Sequence, residues 1–158
     1  MPVVDKEIII DAPVEEIFGY VSKPGNLPQI WPNLVEIKNE KLLPNGGYRF
    51  QWVCLLFGIK LAGKGEYVDI APNLWLSART YGAVESLNTW TFRSKGSQTR
   101  VTVTIDYQIP SILSNRLAEN TIVKANEREA DTILVNLRAR YDNRTSRLNT
   151  GHSGPQFI

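Results

Sequence analysis

Residues 111–142 read SILSNRLAENTIVKANEREADTILVNLRARYD, a run of roughly thirty residues without glycine or proline that follows directly on Pro110. The average helix has about 11 residues, so a helix of this length needs packing to hold it. The stretch predicts one continuous helix over 111–142. Spacing at 3.6 residues puts Ile112, Ala118, Ile122, Asn126, Ala130, Ile133, Leu137 and Tyr141 on one face. Lys124, Glu127, Arg128, Asp131, Arg138 and Asp142 fall on the other. One side is expected to be buried and the other wet, so the rest of the chain must supply a surface for the buried side.

That surface is legible upstream. Val3 to Ile10 has strand composition and ends at Asp11, Ala12 and Pro13. Pro13, Glu15 and Glu16 suit a helix start, where a missing N–H costs nothing and acidic side chains favour the positive end of the dipole. Val14, Ile17, Phe18 and Val21 then follow at amphipathic spacing, which gives a first short helix. After the break at 23–26, Leu27, Ile30 and Trp31 predict a second short helical turn before Pro32. Over 34–109 apolar residues alternate, with turn residues at 44–47, Gly58, 71–73, Gly82 and 95–97 that leave six further strands. Tyr48, Phe50, Trp52 and Cys54 share a face, as do Trp90 and Phe92, and as do Val101, Val103, Ile105 and Tyr107. Each set marks a core-facing side. Seven antiparallel strands with one apolar face, two short helices after the first strand and one long closing helix define an α+β fold in which the sheet curves around the helix.

Composition narrows the function. The 158 residues are 42% apolar, with 18 basic and 16 acidic side chains, one cysteine and one histidine. This suits a single domain over 1–145, followed at 146–158 by a polar stretch expected to be a flexible tail. A net charge of +2 with interspersed signs argues against a nucleic-acid partner. Cys54 has no second cysteine to pair with, and His152, in the tail, is the sole histidine, which excludes an internal disulfide, a Cys/His metal site and a histidine-based triad. No metal and no cofactor is expected. Ile8, Ile9 and Ile10 are flanked by charges, so the N-terminus shows neither a signal-peptide core nor a membrane span, and the protein is expected to be cytoplasmic.

The order β, α, α, six β, α resembles the helix-grip proteins called START-like, Bet v 1-like or SRPBCC, and within them the polyketide cyclase/dehydrase and lipid-transport family. The resemblance rests on IIIDAPVEEIFGYVSKPGNLPQIWPNLVEIK near the start, on GEYVDIAPNLWLSART, on NTWTFRSKGSQTRVTVTIDYQIP and on the long closing helix, and it covers 3–142. It implies a cavity between sheet and helix that takes an apolar or amphipathic ligand of the lipid, isoprenoid quinone or polyketide type. Inward parity and the buried helix face then give the ligand-binding set Tyr48, Phe50, Trp52, Cys54, Trp90, Phe92, Val103, Tyr107, Ile122, Asn126, Glu129 and Ile133. Large aromatics on one sheet face either line such a cavity or fill the core. Both readings stand at this point.

Polar groups on the buried stripe decide what chemistry is available. Asn126 and Glu129 lie on or beside the row of Ile122 and Ile133, where an unpaired charge costs several kcal/mol; Glu129 is either paired at the edge or a cavity group with a raised pKa. Without histidine, proton-moving candidates reduce to Glu66, Arg79, Glu85, Arg93, Tyr107 and Glu129, and no spacing singles out a catalytic pair. The uncharged run from Val53 to Ile59 spans a hairpin turn and reads as an apolar gate, a dimer contact, a tip for transient membrane contact or two buried strand ends. Arg138, Arg140, Arg144 and Arg147 favour the negative end of the helix dipole, which reads as a solvated helix end in preference to an anionic-lipid or nucleic-acid site. Two classes of function follow: a non-catalytic carrier or binding protein for a hydrophobic small molecule, or a cyclase/aromatase-like enzyme using the same cavity. The oligomeric state is left open.

Overall fold

The period-two stretches all become strands of one sheet in the computed structural model, which describes residues 2–150 and side chains from 2 to 142. The strands are β1 (Val3–Ile10), β2 (Leu34–Leu42), β3 (Tyr48–Leu56), β4 (Ile59–Ala71), β5 (Trp75–Gly82), β6 (Ser86–Lys95) and β7 (Gln98–Tyr107). They pair antiparallel in the order β1-β7-β6-β5-β4-β3-β2. From β2 onward each strand hairpins onto the next. The connection from β1 instead passes through α1 (Val14–Val21) and a 3₁₀ turn (Pro24–Gln29), which sends β2 to the far edge and leaves β1 to pair with β7, Ile8 opposite Val101. Phe57 and Gly58 take φ of 51° and 78° at the β3–β4 turn, the double left-handed conformation that joins twisted strands with two residues. The edge strand β2 is bulged between Lys38 and Lys41, with Asn39 at φ 55°, which blunts that edge against further pairing.

The closing stretch departs from the continuous helix expected over 111–142. It forms α2 (Ser111–Ser114) and, after a turn at 115–118, α3 (Glu119–Thr150). The cause is local. Leu113 is 1% exposed and anchored in the interior, the Ser114 hydroxyl bonds the Ser111 carbonyl, and Asn115 closes the turn through its N–H to Ser111 O at 2.9 Å. Ser and Asn compete with the helix for their own backbone and favour such ends. Ile112 is consequently 40% exposed and Ala118 is exposed too, so neither joins the buried face, whereas Ile122, Ala130, Ile133, Leu137 and Tyr141 all do. Helix α3 also extends past Asp142 to Thr150; the remainder of the stretch assigned to the tail, with His152, lies outside the described residues.

Packing along α3 is not uniform. Ile133, Leu134, Leu137 and Tyr141 join Ile17, Phe18 and Val21 of α1, and Phe92, Val101 and Val103 of the sheet, in a solid core. The Phe18 and Phe92 rings meet edge to face at 5.4 Å. Ala130 closes a smaller cluster with Val4 and Tyr107. Three α3 side chains clip down the segment after α1: Glu129 Oε2 accepts from Asn33 N–H at 3.0 Å, Asn136 Nδ2 donates to Ile30 O at 3.0 Å, and Arg140 Nη1 donates to Gln29 Oε1 at 3.1 Å. Arg140 also lies 4.0 Å from the Tyr20 ring centroid, and Arg138 pairs with Asp142 at 3.6 Å. Because α3 runs on to Thr150, these two arginines do not stand at a solvated helix end as expected: Arg138 pairs along the helix and Arg140 ties it to the segment after α1.

Candidate functional site

A partly enclosed cavity of about 150 Å³ lies between the sheet and the first turns of α3, with Ile122, Asn126 and Glu129 on its wall. An apolar hollow on this scale accommodates a ring-sized group. A longer molecule must therefore extend through the opening. Phe57 is 45% exposed yet stands on the cavity wall, so the β3–β4 turn marks a place where the interior meets solvent.

Two glycines help to keep the space open. The inward positions of β4 opposite Phe50 and Trp52 are Gly65 and Gly63. A Cβ on Gly65 would come 2.6 Å from the Phe50 ring, and one on Gly63 would come 2.5 Å from the Trp52 indole. Both β3 rings therefore lie flat across β4, and Trp52 Nε1 donates to the Lys64 carbonyl at 2.9 Å. Rings laid along the sheet wall leave the centre unfilled.

The structure separates the twelve candidate residues into two groups. Phe50, Trp52, Cys54, Trp90, Tyr107, Ile122, Asn126 and Glu129 stand on the cavity wall. Tyr48, Phe92, Val103 and Ile133 do not. Phe92, Val103 and Ile133 belong to the solid core where α1 fills the space, and Tyr48 packs edge-on behind Tyr67, their ring centroids 6.5 Å apart. Among the proton-moving candidates Tyr107 and Glu129 are on the wall, whereas Glu66 pairs with Arg49 at 3.6 Å and Arg79, Glu85 and Arg93 are exposed. Several wall residues went unread: Trp31, Tyr67, Ala78, Ser86 and Asn88. Counting back by two from Trp90 reaches Asn88 and Ser86, so strict parity contained that signal even though the residues are polar.

Among the described residues Glu129 is the one formally charged side chain on this wall. Burial raises its carboxyl above the usual range, opposed by the Asn33 N–H and the adjacent Trp31. Burial also pushes the Cys54 thiol up to about 11, with the Glu129 charge adding to it, so Cys54 is a neutral apolar surface at physiological pH. A carboxyl whose folded pKa is raised favours folding in its protonated form, so its contribution is fully present below the unfolded pKa and is lost as pH rises through the folded pKa. Glu129→Gln, which keeps an acceptor for Asn33, should therefore raise the melting temperature at neutral pH, with a gain that shrinks as pH falls toward 4. Melting curves from pH 4 to 8 measure this, and a pH-independent difference would contradict it.

An open seven-stranded sheet gripping a long C-terminal helix, with a cavity beneath that helix, defines a START-like protein of the helix-grip fold. Residues 1–142 match the family described as polyketide cyclase / dehydrase and lipid transport, and the chain belongs to that family. A search of curated proteins gave no match. Among solved structures the chain is similar to a START superfamily protein from Mycobacterium smegmatis, with TM-score 0.76 and 15% identity over 90% of this chain and 98% of that one. It is similar to a protein from Thermus thermophilus, TTHA0849, with TM-score 0.70 and 24% identity over 91% and 99%. A Streptomyces aromatase/cyclase, Zhui, gives TM-score 0.70 and 13% identity over 91% and 95%. At these identities the likeness is one of fold.

Proposed function

We propose that this protein binds a neutral hydrophobic or amphipathic small molecule, of the lipid, isoprenoid quinone or polyketide type, as a carrier or binding protein. The observation that carries this reading is the apolar cavity under α3, whose wall, among the described residues, has one carboxyl and no Lys or Arg. A buried carboxylate or phosphate head would find no cation there, and a charge left unpaired in such a space is strongly disfavoured. A neutral molecule with an apolar body meets no such penalty. In this reading the protein works in the cytoplasm, any membrane contact is transient, and nucleic acid has no part in the activity. No helix among the described residues is long and apolar enough to cross a membrane.

Native mass spectrometry of the purified protein, followed by solvent extraction, tests the proposal. A neutral apolar adduct with 1:1 stoichiometry is the expected result. An apo mass alone, together with no uptake of any neutral apolar probe, would overturn it.

A second reading is supported by Glu129, a carboxyl with a raised pKa on the cavity wall, and by the aromatase/cyclases among the structural neighbours. Here the same cavity folds a polyketide chain, with Glu129 moving a proton. Glu129→Gln would then abolish turnover of a linear polyketide substrate while leaving its binding within about threefold. Equal turnover by the variant would remove this reading and leave the carrier in place.

A further inference from the structure

Two polar atoms on the cavity wall are buried without a partner: the carboxamide Oδ1 of Asn88 and the hydroxyl of Tyr107. Asn88 is 9% exposed and Tyr107 5%. Buried polar groups are paired in the great majority of cases, and those left over in a cavity call for an explanation. The neighbouring polar groups do not supply one, because they satisfy each other. Thr80 Oγ1 lies 2.6 Å from Ser86 Oγ and 3.1 Å from the Val84 carbonyl. Asn126 faces Tyr107 from α3, where it opposes the rise of the phenol pKa, yet it does not close a hydrogen bond to that hydroxyl.

The register places the two residues near one another. Asn88 is opposite Ile105 and Ser86 is opposite Tyr107, so Asn88 and Tyr107 occupy diagonally adjacent inward positions on neighbouring strands. Their chemistry is complementary to a single group. A carboxamide oxygen accepts, and a phenol hydroxyl donates as well as accepts. One ligand O–H can donate to Asn88 while its oxygen accepts from Tyr107.

We infer that Asn88 and Tyr107 form a hydroxyl-recognition subsite, and that the ligand is an alcohol or a phenol carried on an apolar body. This rests on the cavity-binding reading above and narrows its ligand class. A site whose own polar groups are left unpaired by the wrong ligand discriminates strongly against it. The hydroxyl is thus the feature by which the cavity tells its ligand from a hydrocarbon of the same shape.

The test uses 2-naphthol and 2-methylnaphthalene, which differ by a hydroxyl in place of a methyl, measured by equilibrium dialysis against wild type, Tyr107→Phe, Asn88→Leu and the double variant. The ratio of naphthol to methylnaphthalene affinity should fall by roughly tenfold in each single variant and further in the double, with methylnaphthalene binding kept or strengthened. Ligand-free melting supplies a readout that separates recognition from structure. Removing an unsatisfied buried group should leave the variants melting at or above wild type. A ratio unchanged within twofold in both single variants overturns the subsite while the cavity reading survives. Both variants melting several degrees lower with an unchanged ratio also overturns it, in favour of a structural role. If neither probe binds wild type, the cavity reading fails and the subsite with it.

Discussion

Ala78→Phe should abolish ligand binding and leave the protein folded. Ala78 is 8% exposed, sits on the cavity wall and pairs across the sheet with Tyr67 on one side and Asn88 on the other. It is the small residue in a row of larger ones, so its side chain is where a ring can be added without moving the backbone. A phenyl group is on the scale of the cavity itself, about 150 Å³. Overpacking a filled core typically costs 1–3 kcal/mol, whereas filling a void restores contacts that its lining lacks. Affinity for 1-decanol is expected to drop by a hundredfold or more, and the melting temperature to stay level or rise. A variant that binds like wild type would put the ligand outside the cavity, and one that fails to fold would mean the space is already full.

Gly63→Ala is expected to be among the most destabilising single changes in the chain. Its Cβ would press on the Tyr81 carbonyl, which belongs to the backbone of the paired strand, and on the Trp52 indole at 2.5 Å. Neither yields easily, since Gly63 pairs with both Trp52 and Gly82 across the sheet. A loss of about 3 kcal/mol or more is expected, near the top of the range for point changes, and a depression of the melting temperature by roughly ten degrees follows for a domain of this size. Gly65→Ala is the contrast. The three atoms nearest its Cβ would all belong to the Phe50 ring, the first at 2.6 Å, and that ring can swing into the cavity. Stability should fall little there and ligand affinity more. Thermal and urea melts of both variants check this, and a Gly63→Ala protein within about two degrees of wild type would contradict this seating of the rings.

The fold was legible because each strand repeats one binary pattern and each turn carries its own residues. Gly58, Gly82 and Gly96 all take positive φ where a break was expected. The split of the closing helix was missed because 3.6-residue spacing continues across Asn115 and Leu117, while the local turn chemistry of Ser114 and Asn115 acts within a single turn. Five of the candidate wall residues, Phe50, Trp52, Cys54, Trp90 and Tyr107, were readable from strand parity, and Ile122, Asn126 and Glu129 from the helical stripe. Parity gives the side a residue faces, however, and not the distance to the opposite wall. Val103 and Tyr107 share a face of β7, yet Val103 meets the solid core and Tyr107 the cavity. Trp31 was read only as an apolar position of the short turn with Leu27 and Ile30, and spacing within so short a turn does not say that it reaches the cavity. Asn88 was passed over because a search for apolar alternation discards the polar residue on an apolar face, and that kind of residue is what specifies a ligand.

Tryptophan emission reports on the cavity itself. Trp31, Trp52 and Trp90 stand on its wall, and Trp75 is 41% exposed on the outer face. Titration of 1-decanol, which does not absorb where tryptophan does, should change the emission of wild type and of Trp75→Phe by the same saturable amount. The change should diminish in Trp31→Phe, Trp52→Phe and Trp90→Phe, which keep an aromatic ring in place. Emission that stays flat up to the solubility limit, or a response that vanishes with Trp75→Phe and persists in the other three, would contradict a ligand held between sheet and helix.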